Sequence, residues 1–156
     1  MKRENLTLAV AGLCVGGLIA ALVSQHRFGM EPCAWCAFQR LIYLLIAIIA
    51  LMAWGLNRGP VAKALSWIGA ALSVGGLATA LYQQFVASQT QSCAQTFADL
   101  VIKGLWLDEL APWFFKARAF CNEANIPMAG VPYAIWSAVL FAVLAVILVI
   151  RARRPR

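Results

Sequence analysis

The sequence predicts an all-α fold, an integral membrane four-helix bundle with two hydrophilic loops on one side of the bilayer. Two observations carry this. Charged residues make up only 12% of the chain and hydrophobic ones 63%, whereas a soluble domain of this size carries roughly 25% charged residues. The apolar residues are also gathered into four long runs, and crossing about 30 Å of hydrocarbon takes roughly 20 apolar residues in a helix. A single four-span membrane domain over residues 1–156 is the expected organisation.

The first span is expected at 6–25, uncharged and beginning just after Lys2, Arg3 and Glu4. It is long for the apolar core of a signal peptide, and no clear small-x-small cleavage site follows it. A second span over about 38–56 carries Arg40 near its start, and the turn Asn57-Arg58-Gly59-Pro60 separates it from a third over 64–87. The fourth runs over 131–150, followed by a basic tail. Gly12 and Gly16, like Ala71 and Gly75, stand one turn apart, a spacing that lets membrane helices approach closely. In the stretch from Leu105 to Phe120, aromatic residues are mixed with charges and divided by Pro112, which suits a short helix lying in the membrane interface.

The net charge of +7 does not indicate nucleic-acid binding, because the basic residues flank the apolar runs. Lys2, Arg3, Arg58, Lys63, Arg151, Arg153, Arg154 and Arg156 fall at the two termini and in the short turn. Fewer fall in the other two loops, 26–37 and 88–130. The positive-inside bias therefore puts both termini in the cytoplasm and both longer loops on the opposite side. In a bacterium that side is the periplasm, where disulfides persist.

Four of the five cysteines lie in those two loops: Cys33 and Cys36 in the first, Cys93 and Cys121 in the second. Cys33-Ala34-Trp35-Cys36 is the sharpest local signal, since two thiols at this spacing can close a small disulfide ring at a helix start and exchange through a stabilised thiolate. As half of a zinc site it would need two more ligands at tight spacing, and the chain has one histidine, His26; no metal is expected. Cys93 and Cys121 share a loop, and their spacing does not separate a structural pair from a redox pair. Arg40 follows Cys36 by one helical turn, on the same face. It either serves the thiol chemistry and a polar acceptor or snorkels to headgroup phosphates. Cys14, in mid-span, reads as a small buried hydrophobe. His26, at the end of the first span, reads as an interfacial polar residue.

Four spans, a C-x-x-C motif with Arg40 one turn later, and a second cysteine pair in the long loop before the last span resemble the DsbB family of quinone-dependent disulfide generators. The resemblance covers nearly the whole chain. It extends to Cys121-Asn122-Glu123 and to Gly130, Pro132 and Trp136 at the start of the fourth span. Ile126 stands where many members have tryptophan, and Ser88 to Ser92 where many are proline-rich; both departures bear on the partner-docking surface. The resemblance implies a bacterial inner-membrane thiol:quinone oxidoreductase with redox-active disulfides Cys33–Cys36 and Cys93–Cys121. It implies a DsbA-like periplasmic thioredoxin-fold partner, which attacks at Cys93. The released Cys121 would attack Cys33 and free Cys36 beside Arg40, where ubiquinone or another membrane quinone takes two electrons. The competing expectation is a structural membrane protein whose two loop disulfides brace the bundle.

Overall fold

The computed structural model describes residues 3–56, 59–89, 96–124 and 126–153. Four long helices dominate it: α1 (Arg3–Phe28), α2 (Ala34–Gly55), α3 (Pro60–Phe85) and, at the end of the chain, the helix Tyr133–Arg153. Each is long and apolar enough to cross a membrane. Between α3 and the last helix lie a 3-10 turn (Ala87–Gln89), α4 (Phe97–Gly104), α5 (Leu107–Leu110), α6 (Pro112–Phe115) and a two-stranded hairpin, β1 (Pro127–Met128) with β2 (Val131–Pro132). The last helix is therefore α7.

The helices overrun the apolar runs that mark them. α2 begins at Ala34, before the expected 38, with Cys33 as its N-cap residue. α3 begins at Pro60, whose fixed φ and missing N–H suit the first helical position. Backbone hydrogen bonding ends a helix, whereas loss of hydropathy ends an apolar run, and the two need not coincide. As a result the C-x-x-C pair is not in a loop: it straddles the head of α2.

The second loop also differs from expectation. Its longest helix, α4, lies ahead of the Leu105–Phe120 stretch. It is started by Thr96, whose hydroxyl accepts from the Asp99 N–H at 3.4 Å, and Asp99 also pairs with Lys103 at 2.9 Å. Within the expected stretch Pro112 does divide the chain, into the single turns α5 and α6. Phe97 and Leu100 of α4, and Trp106, Leu110 and Trp113 of the expected stretch, are all exposed. At the hairpin, Ala129 and Gly130 both have positive φ (53° and 80°), the signature of a two-residue turn that matches strand twist. Trp136 Nε1 donates to the Met128 carbonyl at 3.1 Å and fastens this hairpin to α7.

In the bundle α1 contacts α2, α2 contacts α3, α3 contacts α7 and α7 returns to α1. Val10, Cys14 and Leu18 from α1 meet Ile46 and Ala50 from α2 and Phe141, Leu144 and Leu148 from α7 in one buried cluster. Tyr43 and Phe141 stack with ring centroids 4.1 Å apart. The outward faces remain apolar, as with Ile19, Ile48, Ile68 and Val146, which suits a surface facing lipid.

The closest helix approach does not use the glycines expected from spacing. A Cβ on Gly12, Gly16 or Gly75 would meet open space. On α3 the buried stripe is instead Ala62, Ser66, Gly69, Ser73, Gly76 and Ala80. A Cβ on Gly69 would come within 3.2 Å of Leu148, and one on Gly76 would collide with the Phe141 ring. A one-turn repeat of small residues reveals a small face but not its direction; the heptad repeat on α3 points at α7. Ser66 and Ser73 satisfy their hydroxyls on carbonyls one turn back, Ala62 and Gly69, so the stripe stays compatible with an apolar interior.

Arg151, read from the sequence as part of a basic flank, is buried. Its guanidinium donates to the Ala62 carbonyl and Ser66 Oγ and to the Ala53 carbonyl at 3.0 Å, joining the ends of α2 and α7 to the start of α3. From the α3–α7 contact, Gly76→Ala should destabilise the protein by about 1–3 kcal/mol through overpacking. It should visibly lower the thermal midpoint in detergent, whereas Gly75→Ala should leave the midpoint within error.

Candidate functional site

The site is built at the end of the bundle where the two loops meet. Arg118 N–H of the second loop donates to the Pro32 carbonyl of the first at 2.9 Å, and Arg118 approaches Glu31 at 3.8 Å. Trp35 packs 4.9 Å from Tyr82 of α3 and edge-on to Phe38, which in turn meets Phe97 of α4 at 5.6 Å. These contacts hold the head of α2 against both loops.

Cys33 and Cys36 form a dithiol here. Both are free, and the Cys33 S–H is directed at Cys36 Sγ across 3.4 Å. Donation of that proton, together with burial, pushes the Cys33 thiol well above the ordinary cysteine range. Cys33 is fully buried in one cluster with Cys121, Ala34, Trp35, Ala87, Ala98 and Ala124, and Cys36 packs against the same cluster. Cys121 is disulfide-bonded. Cys93 lies outside the described residues, so of the four loop cysteines three are seen to converge.

Arg40 is 5% exposed, which rules out snorkelling. Its guanidinium donates to Gln25 Oε1 at 2.7 Å and to the Phe114 carbonyl at 2.7 Å, with a longer contact to the Ala21 carbonyl at 3.4 Å. It also lies over the Phe114 ring, 5.8 Å from its centroid. No carboxylate pairs with it among the described residues. A guanidinium in so apolar a place is costly unless its N–H groups are satisfied, and here α1 and α6 supply the acceptors.

Beside the dithiol is a cavity of about 460 Å³, walled by α1, α2 and α7. Cys36, Gln39, Arg40, Tyr43 and Ser137 line its inner side. Leu13, Trp136, Val139 and Val143 line it too and are exposed on the outer flank of the bundle. The space therefore joins a few polar groups and one thiol to the apolar surface. Apolar walls with a small number of convergent polar groups are the usual character of a small-molecule site.

A chain of hydrogen bonds between helices, which sequence reading did not find, ends on the same thiol. Ser137 Oγ of α7 donates to Gln39 Oε1 at 2.6 Å, Gln39 Nε2 to Gln83 Oε1 of α3 at 2.7 Å, and Gln83 Nε2 to Cys36 Sγ at 3.2 Å. Tyr43 donates to the Ser137 carbonyl at 3.1 Å, and its hydroxyl lies 2.9 Å from Ser137 Oγ. The available signal was Gln39 and Gln83 themselves, polar residues inside apolar spans. Cys14 is buried in the α1–α2–α7 core, as expected of a small hydrophobe. His26 is exposed and does not line the cavity.

Comparison with known proteins settles the family. The family model for "Disulfide bond formation protein DsbB" matches residues 3–151. The chain belongs to the DsbB family. It is 30% identical to the disulfide bond formation protein B of Pseudomonas syringae pv. tomato over 161 residues, covering 99% of this chain and 94% of that protein. The protein of the same name from Aromatoleum aromaticum is 31% identical over 161 residues, with 99% and 95% covered. That from Burkholderia thailandensis is 31% identical over 150 residues, with 94% and 88% covered. No solved structure matches the chain. As a DsbB family member the chain carries the four spans and the C-x-x-C-x-x-x-Arg pattern on which the resemblance rested.

Arg40 fastens α6 to the bundle. Arg40→Met should therefore raise amide exchange in the segment around Pro112–Phe115 by about tenfold or more, the ratio expected from losing a hydrogen bond from a charged donor. Exchange in the middle of α3 should be unchanged.

Proposed function

We propose that this protein is a membrane thiol:quinone oxidoreductase that makes disulfide bonds by reoxidising a soluble dithiol partner and passing the electrons to a membrane quinone. The observation that carries the reading is the position of the dithiol. On one side Cys33 shares a buried cluster with the disulfide-bonded Cys121. On the other, Cys36 lines an apolar cavity that reaches the flank of the bundle. A pair of sulfurs so placed has a thiol–disulfide partner in the loops and an acceptor site in the hydrocarbon.

In this reading Cys121 pairs with Cys93, and the partner is a DsbA-like thioredoxin-fold protein in the periplasm. A partner thiolate attacks Cys93, and Cys121 leaves as a thiolate. Cys121 attacks Cys33 of the Cys33–Cys36 disulfide, and Cys36 is freed. The partner's second thiol resolves the first mixed disulfide, so the partner departs oxidised. The freed Cys93 thiolate then attacks Cys121 of the Cys33–Cys121 disulfide; the Cys93–Cys121 bond re-forms, the Cys33–Cys121 bond breaks, and Cys33 and Cys36 are left as the reduced pair that gives up two electrons. Both termini are cytoplasmic, the loops are periplasmic, the protein sits in the bacterial inner membrane, and the exposed aromatic residues of the second loop rest on the membrane surface.

The residues present fit a quinone. The cavity offers apolar walls for a ring and isoprenoid tail, an opening on the lipid side, and Arg40 and the second amide proton of Gln39 as donors for carbonyl oxygens. Bound there, ubiquinone or another membrane quinone supplies a two-electron acceptor that draws the relay toward oxidation. Arg40 and Gln39 orient it, the apolar wall excludes water, and Cys36 is the nearest thiol.

Two measurements test this. Cys36→Ser should reduce quinone reduction by a reduced thioredoxin-fold partner to background; undiminished turnover would remove Cys36 from the chemistry. Impermeant thiol reagents added to intact cells after reduction should reach the loop cysteines and not a cysteine placed at the C-terminal tail. The reverse pattern would invert the proposed orientation.

A further inference from the structure

The hydrogen-bond chain that ends on Cys36 links α7, α2 and α3 through Ser137, Gln39 and Gln83. Ser137 has one hydroxyl proton, directed to Gln39 Oε1 at 2.6 Å. Gln39 therefore turns its amide N–H₂ to Gln83 Oε1 at 2.7 Å, and Gln83 in turn presents its own N–H₂ to Cys36 Sγ at 3.2 Å. Each amide has one accepting and one donating end, so the links keep their sense together, and the sense that turns the Gln83 N–H₂ toward Cys36 is the one a thiolate, which only accepts, requires. Gln39 and Gln83 are both almost fully buried, so water does not compete for these ends. Cys36 Sγ also receives the Cys33 S–H. Two donors thus converge on Cys36, and Cys33 is the donor of the pair.

We infer that Gln83 is a positioning residue that fixes the polarity of the dithiol, making Cys36 the sulfur that leaves and Cys33 the sulfur that is attacked. A thiolate accepts hydrogen bonds and donates none, so a site with the donor of Gln83 already aimed at Cys36 is arranged for negative charge on that sulfur. Donors preorganised where charge develops lower the barrier for that step over its competitor, and chained hydrogen bonds polarise one another. Cys33 belongs to the buried cluster that contains Cys121, and Cys36 packs against that cluster. The inference rests on the relay proposed above. The step it concerns is attack of the Cys121 thiolate on the Cys33–Cys36 disulfide. The Cys33–Cys121 bond forms, the Cys33–Cys36 bond breaks, and the electron pair leaves on Cys36, with no net oxidation. The competing step, attack at Cys36, would leave the charge on Cys33, toward which Gln83 does not point.

The test is the identity of the trapped inter-loop disulfide. Oxidised full-length protein in detergent is treated with about one equivalent of dithiothreitol and quenched in acid. Free thiols are blocked, and the cysteine-linked peptides are quantified by mass spectrometry. Wild type should give mainly the Cys33–Cys121 peptide. Gln83→Met keeps the length and removes the donor; it should shift the ratio toward Cys36–Cys121 by about tenfold, the worth of one hydrogen bond to a charged group. Gln83→His, which restores an N–H, should recover part of the preference. Gln39→Leu, which removes the group that orients Gln83, should shift the ratio the same way by less, and it gives a second reading should Gln83→Met fold poorly. An unchanged ratio in a folded Gln83→Met or Gln39→Leu protein would overturn the role of Gln83 and leave the relay standing. Absence of any inter-loop peptide in wild type would overturn the relay itself and this inference with it.

Discussion

A guanidinium buried among apolar helices must have every strong donor direction answered, and Arg40 organises this end of the molecule around that requirement. It stands one turn below Cys36 on α2, and its acceptors come from α1 and from the loop, at Gln25, Ala21 and Phe114. Satisfying them draws α6 down onto the bundle and holds α1 at a fixed distance from α2. The cavity beside Cys36 is the space left between elements fixed in this way. Without the charge, neither the floor of the cavity nor the seat of the second loop would be determined, because apolar contacts alone tolerate sliding and repacking.

Two sulfurs separated by one helical turn would be near equivalents on an isolated helix. Here their surroundings differ in kind. Cys33 is the N-cap residue of α2, its carbonyl accepting from the Ala37 N–H at 3.0 Å, and its thiol is sealed in a cluster of small residues and Trp35. Cys36 is inside the first turn, faces a cavity, and is met by an amide from a neighbouring helix. The difference comes from tertiary structure: the decisive donor, Gln83, belongs to α3 and is held by Gln39 and Ser137 from two other helices. A polar chain of this kind is tolerated among apolar helices because each side chain in it finds a partner on a neighbouring helix.

Much of this was legible in the residues. The spans follow from the length of the apolar runs, and the Cys36–Arg40 relation follows from helical spacing, since both need only local sequence. A helix start at the C-x-x-C pair was legible from its spacing, whereas the apolar run begins only near residue 38, because helical hydrogen bonding and hydropathy set in at different points. α4 was missed because its marker, Thr96 capping at Asp99, is short and precedes the aromatic stretch that drew attention. Gly12 and Gly16 show the limit of spacing arguments: the pattern was present, but the face it marks points outward. The link from Gln83 to Gln39 to Ser137 joins residues from three helices with no common period. It becomes visible only once the helices are arranged in space, although a glutamine within an apolar span is by itself a sign that some partner awaits it.

The outward rim of the cavity, at Leu13, Val139 and Val143, has a consequence for how occupancy is reckoned. A ligand arriving through that side comes from the two-dimensional pool dissolved in the acyl chains, so its effective concentration is a mole fraction relative to phospholipid and not a molarity in the surrounding buffer. Diluting the aqueous phase would leave occupancy nearly constant, while adding lipid or detergent micelles at fixed ligand would empty the cavity. Apparent dissociation constants from preparations of different amphiphile content would then disagree until divided by the volume of the apolar phase.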